Sequence, residues 1–207
     1  ACSDDELARA LAPVWVRFRE SSTKIRLAEK VVNDFVVRTT LEIAARVLEA
    51  RCFHTGLGDA DIALARSSPA HMQPLLAKYT DARIVLLHSS YPYTRDAGYL
   101  AAVYKNVYLD FGEVFPFLAA HGQEAVVRQV LELAPTSKIM WSTDGHWWPE
   151  SFYLGTQQAR EALYKVRLGR MCGGEKQAIQ VVKSALFDNA NRVYNLGLTA
   201  DMKYLDE

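Results

Sequence analysis

Apolar positions in the first fifty residues recur at helical spacing. Leu7, Leu11, Val14 and Phe18 fall three or four apart within DDELARALAPVWVRFRE, and predict an amphipathic helix over residues 4–20. Ser3 stands where an N-cap is expected, acidic residues fill the first turn, and Pro13 is expected to bend the helix. A second, longer helix is predicted from about Lys24 to Leu48, with Leu27, Val31, Phe35, Leu41 and Ala45 as its apolar stripe. No strand is read in this part of the chain.

After Leu48 the pattern shortens to apolar runs of strand length separated by helical stretches, the texture of parallel strands joined by crossover helices. Four strands are predicted: Arg51 to Thr55 (RCFHT), Arg83 to Ser89 (RIVLLHS), Asn106 to Phe111 (NVYLDF) and Lys138 to Thr143 (KIMWST). Helices are expected between them at Ala70 to Lys78, Thr94 to Tyr104 and Gln123 to Leu133, each long enough to cover a sheet face. A further helix is read at Glu150 to Arg170, then a break at Gly173-Gly174, a last helix from about Glu175 to Asn189, and a closing segment from Asn191 to Leu196. The division expected is a helical segment at 1–50, a (β/α) barrel part at 51–196 and a tail at 197–207 that buries little.

Each predicted strand ends in a residue able to bind metal or move protons: His54, His88, Asp110 and Asp144. The interval from His54 to His88 equals that from Asp110 to Asp144, as expected if successive strand-helix units deliver side chains to one barrel rim. Two neutral imidazoles and a carboxylate on such a rim suit zinc, manganese or iron. A lone strand-end histidine is more often a hydrogen-bonded structural residue than a ligand, and a buried acid such as Asp110 reads equally well as a loop cap. The loops that follow are T-G-L-G-D after His54, S-S-Y-P-Y after His88 and G-H-W-W-P-E after Asp144. Aromatics clustered on loops read as pocket walls, which makes Tyr91, His146, Trp147 and Trp148 candidates for substrate contact; rim packing is the competing reading for the two tryptophans. His71 and His121 are read as surface residues.

Charge changes this picture only by exclusion. Lys and Arg balance Asp and Glu, so no broad field draws the protein to nucleic acid or to an anionic membrane surface, and a small-molecule substrate is the expected partner. Cys2, Cys52 and Cys172 are odd in number and widely spaced, which argues against a disulfide framework or a cysteine zinc site and points to a reducing, cytoplasmic setting. No apolar run approaches the roughly 20 residues of a membrane span, and ACSDDELARAL resembles neither a signal nor a transit peptide. The first residue is not methionine, so an upstream segment is expected.

The segments FHTGLGD, IVLLHSSYPYTRDAGYLAAVYKNVYLDFGEVFP and MWSTDGHWWPESFYLG resemble the amidohydrolase superfamily, specifically the amidohydrolase-like domain of FluG and nodulin/glutamine-synthetase-like proteins. The resemblance spans roughly residues 24 to 196. It implies an α/β fold of the (β/α)8 TIM-barrel type, present here as roughly strands 5 to 8 with flanking helices. It also implies a metal-dependent hydrolase that activates water against an amide or related bond, with a divalent metal, zinc first and manganese or iron as alternatives. On that pattern His54 matches the strand-5 metal histidine, and His88 the strand-6 histidine that binds a second metal or orients substrate. Asp144 matches the strand-8 aspartate that binds metal and accepts the proton of the attacking water. The superfamily's strand-1 H-x-H pair has no counterpart, since no two of the five histidines stand two apart, and no glutamine-synthetase-like domain follows. Open sheet edges would then favour a homo-oligomer or association with a missing N-terminal barrel half. A non-catalytic barrel module, or a lyase or isomerase on the same scaffold, is the alternative, because a fold does not dictate a reaction.

Overall fold

Helix α1 (Asp4–Glu20) starts where Ser3 caps it. The Ser3 hydroxyl accepts from the Glu6 amide at 3.2 Å and the Glu6 carboxylate accepts from the Ser3 amide at 2.9 Å, so two otherwise orphaned donors are satisfied reciprocally. The helix continues through Pro13, and Arg17 pairs with Glu29 just before α2 (Lys30–Val47). The two helices pack on one another. Val14, Val32, Leu41 and Ala44 are buried, while Leu11, Phe18, Leu27, Val31 and Phe35 of the predicted stripes remain exposed, because a two-helix unit has too little surface to cover every apolar position.

The computed structural model describes residues 3–21, 27–47, 49–60, 62–166 and 174–200. The chain divides into two units, residues 1–47 and 48–207. Lys24, Arg170, Gly173, Cys2, Cys172 and the last seven residues of the tail lie outside the described residues, while residues 27–29 are not helical, so α2 starts at Lys30, later than the apolar spacing from Leu27 predicts.

The second unit is built on four parallel strands, β1 (Ala50–Phe53), β2 (Arg83–Leu86), β3 (Val107–Asp110) and β4 (Ile139–Met140). Their spatial order is β1-β2-β3-β4, with Ala50 opposite Arg83, Ile84 opposite Val107 and Leu109 opposite Ile139. Every strand pairs with its neighbour in sequence and the order never reverses. A doubly wound sheet contains such a reversal; a barrel does not. β4 is shorter than its apolar run suggests because the Trp141 amide leaves the ladder and donates to the Ala185 carbonyl at 3.0 Å.

Both faces of this sheet are covered in its centre, as parallel strands require. Ile84, Leu86, Val107, Leu109 and Ile139 are buried, and so are Val85 and Met140 of the opposite alternation. The crossover elements are α3 (Gln73–Lys78), α4 (Thr94–Val103), the short α5 (Val114–Phe117) and α6 (Ala120–Leu133), followed by α7 (Pro149–Lys165). α4 packs on β3 and α6, and α6 on α7. Lys138 donates to the carbonyls of Ala101 and Tyr104 at 2.8 and 2.7 Å, placing a cation at the negative end of α4. α8 (Glu175–Lys183) runs through a π turn (Ser184–Asp188) into α9 (Asn189–Val193), and Val193, Ala190 and Tyr194 pack against Val85 and Met140.

Two buried asparagines fasten irregular backbone to this framework. Asn106 donates to the carbonyls of Tyr79 and Ala82, both at 2.9 Å, and Asn189 to those of Thr136 and Ile139, both at 2.8 Å. No helix among the described residues is long and apolar enough to cross a membrane. Asn189→Ala strips two carbonyls of their shared donor in a buried site, so it is expected to lower unfolding free energy by about 2 to 3 kcal/mol, measured as a shift of the urea midpoint.

Candidate metal centre

Parallel pairing brings the ends of all four strands to one side of the sheet. His54 follows the end of β1, and the Leu87 amide donates to the Phe53 carbonyl at 3.0 Å, one step beyond the regular ladder. His88, Ser89 and Ser90 then take successive φ values of 60, 53 and 50°, a full left-handed turn that L residues adopt only when the surroundings hold it. The Ser90 hydroxyl lies 2.6 Å from the Thr55 hydroxyl in a buried hydrogen bond. Gly56, at φ +71°, passes so close that a Cβ there would stand 2.2 Å from the Ser90 carbonyl oxygen. The loops that follow β1 and β2 are thereby locked together, and the lock orients the His88 ring.

His88 is 3% exposed. Its Nε2 lies 3.1 Å from Nδ1 of the exposed His54, with ring centroids 4.7 Å apart. Its Nδ1 lies 3.0 Å from Glu113 Oε2. That second contact has the length of a hydrogen bond but not its direction, and neither atom has a hydrogen-bonding partner among the described residues. Burial, reinforced by His54 and opposed by Asp144, lowers the His88 pKa to about 4, so the ring is neutral at physiological pH. Burial also raises the pKa of Glu113, with Asp144 and Asp59 adding to the rise and His146 opposing it. One ligating atom from each of His88, Glu113 and Asp144 lies within 4.8 Å of the other two.

Glu113 is the residue that strand-end reasoning missed. It sits three positions past Asp110, at φ +58°, within the LDFGEVFP segment, and its only sequence signal is an acid in the loop after a strand that already ends in an acid. Gly112 permits that path: a Cβ there would lie 2.2 Å from Ser142 Oγ and 2.8 Å from Asp110 Oδ1. Asp110 itself is buried and accepts from the Gly112 amide at 2.6 Å and from the Ser142 hydroxyl at 3.0 Å, which is the loop-capping arrangement.

Asp144 is exposed at φ 47°. Its carbonyl lies 2.8 Å from His146 Nδ1, and the His146 ring is 5.8 Å from that of Trp147. Trp147 and Trp148 are 85% and 69% exposed, and Tyr91 is half-buried on the turn after His88. None of these four candidates for substrate contact belongs to the converging group. His71 and His121 are both exposed; His71 Nε2 lies 3.0 Å from the Ala65 carbonyl, and His121 lies within α6 and not on a loop.

The "Amidohydrolase" family model matches residues 43–196, well over half the chain. The chain belongs to the amidohydrolase family. It is 50% identical over 179 residues to protein fluG of Emericella nidulans, a match that covers 83% of this chain and 21% of that protein. The crystal structure of a candidate metal-dependent hydrolase from Lactobacillus casei superposes with a TM-score of 0.81 at 27% identity, covering 91% of this chain and 50% of the other. An uncharacterised TIM-barrel protein from Bordetella bronchiseptica, at a TM-score of 0.55 and 17% identity, shows likeness of fold alone. The amidohydrolase chain is therefore a partial TIM barrel with flanking helices, and it spans about a fifth of its curated relative and half of its structural one.

The residues present fit the divalent metal that the family implies. Two nitrogens bound to one tetrahedral ion at 2.0 to 2.1 Å stand about 3.3 Å apart. The His54 and His88 nitrogens at 3.1 Å have nearly that spacing, and His88 also stands in the group that converges with the carboxylates of Glu113 and Asp144.

Burial raises the Asp110 pKa from 3.8 to about 6, partly offset by its hydrogen bonds to Gly112 and Ser142. A carboxyl whose folded pKa exceeds its unfolded value contributes stability below the unfolded pKa, and loses it as pH rises through the folded one. Chelator-treated protein is therefore expected to lose up to about 3 kcal/mol between pH 4 and 7 through this group. In Asp110→Asn, which keeps the acceptor oxygen, urea midpoints measured across that range should lack this decline.

Proposed function

We infer that this amidohydrolase domain contributes half of a metal-dependent hydrolytic site that cleaves an amide or related C–N bond of a small substrate. The observation that carries the reading is the convergence at the strand ends of a buried neutral histidine, His88, with His54 on one side and the carboxylates of Glu113 and Asp144 on the other. His54, His88 and Asp144 are the residues we assign to a divalent cation, zinc before manganese or iron, since imidazole and carboxylate suit those ions. Such a cation supplies Lewis-acid polarisation and lowers the pKa of water toward neutrality.

Asp144 takes the proton of the attacking water in this scheme and passes it to the leaving nitrogen. Its exposure on the rim and its place beside His88 support that role. His88 is held neutral by burial, so it offers a lone pair and carries no charge that would repel a cation. Tyr91, His146, Trp147 and Trp148 form the surrounding wall that contacts substrate. Among the described residues β1 and β4 have no strand partner on their outer edges. The other half of the barrel, from adjoining chain or from a second copy, is the proposed partner that closes the site and supplies further ligands. Cys52 is a free thiol, which supports a cytoplasmic setting.

In the complete protein, Asp144→Asn is expected to lower turnover on an amide substrate library by at least about 100-fold while leaving the circular dichroism spectrum unchanged. Undiminished turnover would remove Asp144 from the mechanism.

A further inference from the structure

Assigning the cation to His54, His88 and Asp144 leaves Glu113 without a role, although its carboxylate joins the converging group and lies 3.0 Å from the buried Nδ1 of His88. We propose that Glu113 is a positioning residue whose carboxylate accepts a hydrogen bond from the Nδ1–H of His88 and so leaves the Nε2 lone pair facing His54 and the cation. What Nε2 then does rests on the metal reading above; the placement of the proton does not.

The inference follows from counting protons. A neutral imidazole carries one N–H and one lone pair, and an ionised carboxylate only accepts. Glu113 Oε2 lies 3.0 Å from His88 Nδ1, and neither atom has a hydrogen-bonding partner among the described residues. Without a proton between them, two buried lone pairs would face each other unpaired, the costly arrangement for desolvated polar groups. With the carboxylate ionised, the proton between them belongs on Nδ1. Nε2 is then the acceptor. His54 Nδ1, 3.1 Å away, donates to it in the metal-free protein; were His54 to hold a cation through Nδ1, its proton would sit on its own Nε2, so that both rings stay neutral and each offers a lone pair.

The backbone supports a dedicated placement of this carboxylate. Glu113 stands at the N-cap position of α5, yet its side chain makes no capping hydrogen bond to the helix. Its φ of +58° is one that residues other than glycine avoid, and Gly112 before it sits where a Cβ would strike Ser142 and Asp110. The loop holds a strained glutamate whose carboxylate ends at His88.

The test uses the chain with its histidines labelled with nitrogen-15. Long-range proton–nitrogen correlation spectra of chelator-treated protein at neutral pH read the His88 tautomer, with the signal assigned by its loss in His88→Gln. The expected result is the Nδ1–H form in the wild type, the same form in Glu113→Gln, whose amide oxygen also accepts, and a shift toward Nε2–H in Glu113→Leu. Zinc titration should show affinity about 10- to 100-fold weaker in Glu113→Leu and largely recovered in Glu113→Gln. Cobalt(II) loaded in place of zinc should give the same visible absorption bands in wild type and Glu113→Gln. An Nε2–H tautomer in the wild type overturns the proposal, as does unchanged zinc affinity in Glu113→Leu. Altered cobalt bands in Glu113→Gln overturn it in favour of direct ligation by Glu113. Failure of the wild type to bind zinc or cobalt sinks the metal reading instead, and the tautomer comparison still decides the role of Glu113.

Discussion

The site depends on the burial of the His88 ring with a neighbour at each nitrogen. An imidazole at 3% exposure cannot carry charge cheaply, so it stays neutral, and a neutral ring must divide its two nitrogens between donor and acceptor roles. His54 on one side and Glu113 on the other set that division. The ring is held by the left-handed turn at His88, Ser89 and Ser90, by the hydrogen bond between Thr55 and Ser90, and by the close passage of Gly56. Orientation of one ring is thus maintained by backbone strain in one loop, locked from the loop beside it.

Electrostatics work in the same direction. Burial raises the pKa of Glu113, with Asp144 and Asp59 adding to the rise, and burial raises Asp110 nearby. A buried histidine kept neutral and carboxylates kept close together are a costly arrangement without a cation and a stabilised one with it. The partial barrel shows why these groups meet at all. Parallel pairing in unbroken sequence order aligns the ends of the strands, and the segment from Asn189 to Tyr194 packs against β2 and β4 on the face opposite the one that Ile84, Leu86 and Leu109 present.

Local features were legible in the sequence because local physics produces them. α1 begins and ends where its spacing and cap place it, since a capping box and a 3.6-residue period act within one turn. The order of strands and helices followed from alternation of run lengths, and His54, His88 and Asp144 stood out because a strand's polar terminus is visible as a break in an apolar run. The resemblance to amidohydrolases, carried by the same segments, agrees with the family match and with the structural neighbours.

Other features needed the folded chain. β4 is two residues long because the Trp141 amide finds a partner forty-four positions away in sequence, at Ala185, and no local pattern encodes that pairing. Asp110 proved to be a loop cap because Gly112 and Ser142 reach it from two loops. Glu113 reaches His88 only through a positive φ at its own position and the passage that Gly112 leaves. The sequence by itself determined the elements and the residues at strand ends, because propensity and periodicity act over a few residues. Which side chains face one another across loops, and hence which nitrogen of His88 meets a carboxylate, was decided only by tertiary structure, because it depends on backbone angles that distant packing imposes.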